Sequence, residues 1–288
     1  MFSLVLDKVS GLLGERTSAA TFLPVLSFIG LALYVSWLAG GGSTAELVAK
    51  LTALDLASQL LLSVLVLLFA YIMALLATNN STTIIQLFEG YIGPWHWLAP
   101  LGRSYHKSKS DTVGHEVRYL LYPSDADDVM PTRLGNILKT AETHPRDLYG
   151  IEAVIIWPRL LRVVTAEVLA ELANARQGIE HSLVISLLAS VFGGVSALVL
   201  PWTGVSMYFV ATVAAPSFVV AGLAYRASLG AAIGYAEIVK SVFDIYRADL
   251  LILLGAQAPA TNNGERLLWQ QLSNSWYRSG PVSIFKRW

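Results

Sequence analysis

The most restrictive feature of this sequence is residues 182–225, which contain no Asp, Glu, Lys or Arg. Two apolar runs of about 20 residues each flank a Pro-Trp-Thr-Gly corner at residues 201–204. In hydrocarbon every backbone N–H and C=O group must be hydrogen-bonded within the protein, so such runs predict membrane-spanning α-helices. The pattern therefore predicts a transmembrane hairpin with a short turn.

Two earlier segments, residues 22–40 and 56–78, are also uncharged and long enough to span a bilayer. The composition agrees, because 55% of the residues are hydrophobic and only 14% are charged. We therefore predict an all-α membrane protein with four transmembrane helices in two hairpins and a mainly helical cytoplasmic domain.

The distribution of Lys and Arg predicts the orientation. Two of the 20 cations precede the first span, Lys50 lies between the first two spans, ten lie between Arg103 and Arg176, and seven follow from Arg226 onward. With four spans, all except Lys50 fall on one side, which the positive-inside rule makes cytoplasmic. Both termini and the central segment are then inside the cell, in a bacterial inner membrane.

The domain boundaries follow from these spans. Residues 1–21 form an N-terminal amphipathic segment, either a surface helix or a simple lead-in to the first span. We do not expect a signal peptide, since a basic region followed by an A-x-A site is lacking. The remaining predicted segments are the first hairpin (22–78), the cytoplasmic domain (79–181), the second hairpin (182–225), a cytoplasmic amphipathic helix (226–255), and a linker and tail (256–288).

Within the central segment, residues 103–114 are polar and rich in serine, and we expect them to be mobile. The alternation in residues 116–122 predicts a short strand. A helix should begin at Asp128 or Thr132 and end at His144-Pro145. The helix that follows Thr165 is expected to continue into the third span, and the fourth span into residues 226–255.

The second hairpin is rich in small and hydroxyl-bearing residues. Such residues let helices approach closely, which is the favoured interpretation, and they can alternatively line a narrow aqueous pathway. The pore-lining candidates are Ser186, Ser190, Gly193, Gly194, Ser196, Thr212 and Pro216.

A second set of polar residues lies in the predicted cytoplasmic parts. We expect these residues to stabilise the fold through buried, hydrogen-bonded charge pairs, with ligand binding as the alternative. Asp244 and Arg247 are expected to pair on one helix surface or to bridge to the central domain. The candidates are Arg133, Asn136, Glu142, Glu152, Trp157, Arg159, Asp244 and Arg247.

Little in the sequence favours an enzyme. The chain has no Cys, its five His residues show no metal-ligand spacing, and no phosphate-binding, nucleophile-elbow or dinucleotide motif occurs. The net charge of zero gives no reason to expect nucleic acid. We therefore expect no catalytic residues, no metal and no cofactor.

Three segments, PTRLGNILKTAE, YGIEAVIIWPRLL and KSVFDIYRADLL, resemble recurrent segments of uncharacterised bacterial multi-span membrane proteins. This resemblance implies a bacterial source. Separately, the layout of four spans with cytoplasmic material after the second and fourth is similar to that of the bestrophin anion channels, which are pentamers. The second similarity is one of topology, without a bestrophin motif in the sequence.

These observations lead to a functional hypothesis, an oligomeric ion channel or pore in which the third or fourth span lines the path. The cytoplasmic helices would assemble and gate it. The alternatives are a membrane-anchored scaffold or defence or stress effector that binds a cytoplasmic protein, and a transporter. The expected partners are the lipid bilayer and further copies of the chain, with that cytoplasmic protein as the partner under the scaffold alternative.

Overall fold

The structure is a computed structural model that describes residues 19–92, 98–256 and 259–278. Within these ranges the chain forms helices joined by short turns, and it contains no β-strand. The helices are α1 (Ala19–Ala39), α2 (Thr44–Ala53), α3 (Leu56–Asn79), α4 (Ser81–Glu89), α5 (Ala99–Thr112), α6 (His115–Leu121), α7 (Arg133–Tyr149), α8 (Ala153–Leu160), α9 (Ala166–Val199), α10 (Met207–Leu253) and α11 (Asn262–Arg278).

Four of these helices, α1, α3, α9 and α10, are long and apolar enough to cross a membrane. The prediction of four spanning segments in an all-helical chain is therefore confirmed at the level of length and composition, and the helices fit a multi-pass membrane protein. The continuity of the last two is also confirmed, because α9 has 34 residues and α10 has 47.

The chain divides into two compact units. The first, here called the apolar unit, comprises residues 1–85 and 180–227. The second, here called the polar helical unit, comprises residues 86–179 and 228–288. Both α9 and α10 contribute residues to each unit.

In the apolar unit, α1 packs against α3 through small side chains. Phe22 and Val25 of α1 meet Ala70 and Ala74 of α3, and all four are buried. A second cluster joins the end of α1 to the third and fourth apolar helices; its members are Val35, Ala39, Leu200 and Val210.

The predicted corner at residues 201–204 is a 3-10 turn, Leu200–Thr203, followed by Gly204 with φ of 79°. Glycine adopts this left-handed backbone without the steric cost of a Cβ atom. The turn leads within three residues to Met207, where α10 begins.

Two predictions for the central segment are wrong, the strand at residues 116–122 and the end of helix α7 at Pro145. Residues 116–122 form most of helix α6 and not a strand, since a seven-residue window holds too few periods to distinguish the two patterns. Residues 103–114, expected to be mobile, lie largely in helix α5, which has Pro100 in its first turn. Proline is compatible with that position because the N–H it lacks has no helical partner there.

Helix α7 begins as predicted, with the side chain of Thr132 accepting from the backbone N–H of Gly135 at 3.0 Å. Its predicted end at Pro145 is wrong, because Pro145 lies inside the helix. The helix ends at Gly150, which has φ of 71°, while the N–H of Ile151 donates to the carbonyl of Pro145 at 3.1 Å. Glycine-terminated helices commonly close in this way.

The predicted N-terminal amphipathic segment, residues 1–21, lies outside the described residues except for its last three, residues 19–21.

Candidate functional site

Several small residues of α9 and α10 are used for packing between these helices. The hydroxyl of Ser186 donates to the carbonyl of Ala221 at 3.0 Å. A Cβ atom added at Gly193 would lie 3.1 Å from the Cβ of Ser217, so glycine permits a close approach there. Small residues and interhelical hydrogen bonds of this kind join helices within lipid.

The seven pore-lining candidates do not share one surface. Ser186, Gly193 and Ser196 are buried, while Ser190 and Gly194 are half-buried. Thr212 and Pro216 are exposed. Within a single chain, the first group belongs to the core of the apolar unit, and the last two remain available to line a surface.

The exposed face of α10 in the apolar unit continues on either side of Thr212. Residues at helical spacing along it are Tyr208, Thr212, Ala215, Val219, Gly222, Leu223 and Arg226, and all of them are exposed. A Cβ atom added at Gly222 would meet no heavy atom within 4 Å, so this face is uncovered in the single chain. We call it the small-residue face of α10. The opposite face is buried and carries Val210, Ala214, Ser217 and Ala221.

The polar helical unit contains a hydrogen-bonded network centred on Asp244 of α10. Its Oδ1 atom accepts from His144 Nε2 at 2.9 Å and from the hydroxyl of Tyr149 at 2.8 Å. Burial, followed by the hydrogen bond to the Asp244 carboxylate, raises the pKa of Tyr149 to about 12. The contacts tie α10 to the C-terminal half of α7.

Arg247 extends this network to α11. Its Nε donates to Glu265 Oε1 at 3.0 Å, and its guanidinium carbon lies 3.9 Å from the centroid of the Tyr149 ring. The indole N–H of Trp269 donates to the same Glu265 oxygen at 3.3 Å. Asp244 and Arg247 thus bridge to other helices and do not form a carboxylate–guanidinium pair on one surface; Arg247 donates instead to the backbone carbonyl of Asp244.

Three further predicted network residues have structural contacts elsewhere in the unit. The side chain of Asn136 is fully buried and bonds to both backbone groups of Met130, at 2.8 Å each. The Trp157 ring lies 5.5 Å from that of Phe243. The Arg159 guanidinium stacks over Trp276 at 4.2 Å.

The other three candidates lie apart from the network. Arg133 and Glu152 are exposed, and Glu152 makes no side-chain capping bond at the start of α8. Glu142 pairs with Lys139 on α7 at 2.8 Å. The structure therefore brings together only Asp244 and Arg247 of the eight predicted residues.

A cavity of about 150 Å³ lies among α6, α7 and α10 in this unit. Lys240 lines it with a side chain that is only 2% exposed. Its ammonium donates to the carbonyl of Tyr119 at 3.1 Å and to Glu237 at 2.9 Å, and lies 3.9 Å from the Tyr119 ring centroid. Because these protein groups already surround the ammonium, Lys240 acts as a buried structural cation. The cavity itself is large enough for several waters.

Sequence reasoning missed His144, Tyr149, Lys240 and Glu265. His144 and Tyr149 were missed because Pro145 predicted the end of a helix at that point. Lys240 could have been found, since it shares one helical face with the apolar residues Ala236, Val239 and Phe243. No local signal pairs Glu265 with Arg247, because the contact depends on how α11 folds back.

Glu89, at the end of α4, occupies a partly buried position in the polar helical unit. Its backbone carbonyl accepts from Thr132 Oγ1 at 3.0 Å. Burial, together with the negative charge of Glu142, raises the pKa of Glu89 to about 7, and Lys139 opposes this shift.

In the part of the chain that the structure describes, no three His, Cys, Asp or Glu side chains converge on a position that could hold a metal ion. No protein-family model, no curated protein and no solved structure matches this chain.

Proposed function

We propose that this protein is an oligomeric ion channel or pore of a bacterial inner membrane, in which the small-residue face of α10 lines the path. The observation that carries the proposal is that this face is exposed in the single chain. In the assembled protein this face must contact a second copy of the chain, an aqueous pathway or lipid.

The contrast with α3 argues against lipid. The exposed residues of α3 are bulky and aliphatic, including Leu60, Leu61 and Leu68. The exposed face of α10 also carries the bulky side chains of Val219 and Leu223, but it includes a hydroxyl at Thr212 and little side-chain volume at Ala215 and Gly222. Small and hydroxyl-bearing positions suit close helix contacts and narrow wet pathways, whereas bulky aliphatic side chains suit acyl chains.

The polar helical unit supplies a rigid element for assembly or gating. The network of Asp244 and Arg247 fixes α10 against α7 and α11, so a movement of these helices would be transmitted along the same continuous helix that carries the small-residue face. In the proposed orientation this unit is cytoplasmic, which agrees with the positive-inside distribution of Lys and Arg.

The first test is the mass of the solubilised particle, followed by ion flux from liposomes prepared with the same sample. We expect a closed ring of at least four subunits that conducts ions. A monomer or dimer without flux would overturn the proposal.

Cysteine accessibility tests the lining directly, because the chain has no native Cys. A water-soluble thiol reagent should reduce flux through Thr212→Cys. The matched control is Leu61→Cys, whose native side chain is 62% exposed on α3 and should face lipid. Equal effects at both positions, or none at Thr212→Cys, would exclude α10 as the lining helix.

The orientation has its own test. An impermeant thiol reagent should not label Ser108→Cys in intact cells, since α5 is proposed to be cytoplasmic. Trp202→Cys is the control on the opposite side, because Trp202 is 90% exposed in the turn between α9 and α10. The reverse labelling pattern would contradict the proposed topology.

One observation favours a scaffold as the second candidate. The polar helical unit exposes Ile252, Leu253 and Leu267, at 73%, 65% and 59%. Exposed apolar residues of this kind are typical of surfaces that bind another protein. If Ile252→Ser abolishes capture of a cytoplasmic protein but leaves subunit number unchanged, and the particle does not conduct, the scaffold is the better interpretation.

A further inference from the structure

A crevice of about 540 Å³ lies at the end of the apolar unit that carries the turn between α9 and α10. One wall consists of Ser36, Ala39, Gly40 and Gly41, at the end of α1. The other consists of Val199, Leu200 and Thr203. Its volume falls within the range of sites that hold small organic ligands, about 300–1,000 Å³.

Aromatic residues place this end of the unit at a membrane surface. Trp202 and Tyr208 are 90% and 86% exposed, on either side of the turn. Trp and Tyr concentrate where hydrocarbon meets the lipid head groups, because their rings are apolar at one end and polar at the other. An occupant of the crevice would therefore lie at the boundary between acyl chains and head groups.

A cation lies beside the α1 wall. The ammonium of Lys50, in α2, lies 4.7 Å from the centroid of the Trp37 ring. The Trp37 indole packs against Gly42, where an added Cβ would overlap the ring at 2.3 Å, and it donates to the carbonyl of Ser43 at 2.9 Å. Lys50 is thus held next to the glycine run that forms the wall.

The carboxylates near Lys50 are engaged by backbone groups. Glu46 accepts from the N–H of Ser43 at 3.1 Å, and Asp55 accepts from Ala57 and Ser58 at the start of α3. Among the residues that the structure describes, no carboxylate lies within ion-pair distance of Lys50. The cation is therefore available to an anion from outside the chain.

We propose that this crevice binds an anionic phospholipid, with an acyl chain between the walls and the phosphate beside Lys50. An apolar crevice that opens at the level of the lipid head groups, next to a cation without a carboxylate partner, is complementary to a molecule with an apolar tail and a negative head group. A soluble anion would leave the apolar walls unfilled, and a zwitterionic lipid would gain less from Lys50.

The test measures the lipid retained by the purified full chain, by native mass spectrometry, after incubation with phosphatidylglycerol or with phosphatidylcholine of the same acyl chains. Wild-type protein should retain phosphatidylglycerol preferentially. Lys50→Gln should reduce that preference about fivefold, the effect expected of one basic residue at a membrane surface. The matched control is Lys50→Arg, which keeps the positive charge at this position and should retain the preference.

The crevice itself is tested by Gly40→Leu. A Cβ atom at Gly40 would make only ordinary contacts, at 3.5 Å or more, so the larger side chain can extend into the crevice without disturbing α1. Retention of both lipids should fall. The control is Gly30→Leu on the same helix, where an added Cβ meets nothing within 4 Å.

Three outcomes would overturn the proposal. Equal retention of the two lipids by wild-type protein would remove the role of charge. Equal loss in Gly40→Leu and Gly30→Leu would indicate unspecific boundary lipid. A change in subunit number with Gly40→Leu alone would show that a second copy of the chain fills the crevice.

Discussion

The two units of this chain are stabilised by different means. Among the described residues, the large side chains that are almost completely buried lie in the polar helical unit, as Trp269, Lys240 and Phe243 do, except for Leu183 in the apolar unit. The contacts of the apolar unit depend instead on alanines such as Ala70 and Ala74 and on close approach at Gly193.

The proposed location of the apolar unit in a bilayer, with the polar helical unit in water, accounts for this difference. Water drives large apolar side chains into a core, whereas acyl chains are as apolar as leucine and provide no such force between helices. The apolar unit can therefore leave Leu61 and Leu68 exposed while it packs through small residues. The polar helical unit instead buries its large side chains and hydrogen-bonds most of its buried polar groups; among the described residues the exceptions are Asp147 Oδ2 and the hydroxyl of Ser273.

The largest expected effect concerns the core of the polar helical unit. Trp269 is completely buried, and its indole N–H donates to Glu265. Trp269→Ala should lower the free energy of unfolding of this unit by about 3–5 kcal/mol, because it removes the largest buried side chain and leaves a cavity. Chemical denaturation followed by far-UV circular dichroism measures the change.

The control for this substitution is Tyr277→Ala on the same helix, where the native side chain is 79% exposed. Its effect should stay within about 0.5 kcal/mol. If both substitutions have the same effect, α11 does not contribute a core side chain and the contrast between the units is weaker than proposed.

The next effect tests packing in the apolar unit. Gly193→Leu should destabilise this unit by about 1–3 kcal/mol, because the new side chain meets Ser217 and Phe218 at close range. Gly194→Leu is the matched control, since an added Cβ there meets nothing within 4 Å. The midpoint of unfolding in an SDS titration measures both. A larger effect at Gly194 would mean that another subunit, and not α10 of the same chain, packs closely on α9.

A third prediction concerns pH and the polar helical unit alone. The pKa of Glu89 is raised from 4.5 to about 7, chiefly by burial, so the folded state binds a proton more readily than the unfolded state. The contribution of this group to stability is therefore greatest below pH 4.5 and declines as the pH rises to about 7. Glu89→Gln should remove this decline and stabilise the protein at pH 8 by about 1–2 kcal/mol, allowing for partial solvent screening.

Unfolding midpoints at pH 5 and pH 8 measure the effect. Glu142→Gln serves as the comparison, because it removes the neighbouring negative charge but also the partner of Lys139. A pH dependence that is the same in Glu89→Gln and in wild-type protein would show that Glu89 titrates as an ordinary surface carboxylate.

The apolar helices were predicted well from the sequence, because a helix that spans a bilayer needs a long run of uncharged, apolar residues and such a run is visible in the local sequence. The uncharged runs at residues 22–40 and 56–78 correspond closely to α1 and α3. The corner at residues 201–204 was also predicted, since Pro and Gly restrict the backbone in known ways. In this unit, local chemistry decides the structure.

The polar helical unit was predicted less well, because its local signals conflict with its tertiary contacts. Pro145 indicates a helix end, yet α7 continues to Tyr149 and so places His144 and Tyr149 beside Asp244. The partners of Asp244 are 95 and 100 residues away in sequence. Contacts between residues so far apart leave no local pattern in a single sequence. For this reason the predicted network included Arg133, Glu142 and Glu152, which lie apart from it, and did not include Lys240.

The smallest expected effect concerns the hydrogen bonds between helices of the apolar unit, which we compare with the buried polar contacts of the polar helical unit. Ser186→Ala removes the hydrogen bond to the carbonyl of Ala221 between α9 and α10. The loss should be about 0.6 kcal/mol, the average for hydrogen bonds between membrane helices, because the separated helices also find partners for these groups. SDS unfolding measures it, with Ser190→Ala, a half-buried serine on the same helix, as the control. A loss above about 2 kcal/mol would mean that this bond is as important to the apolar unit as the buried polar contacts are to the other unit, and the contrast between the units would fail at that position.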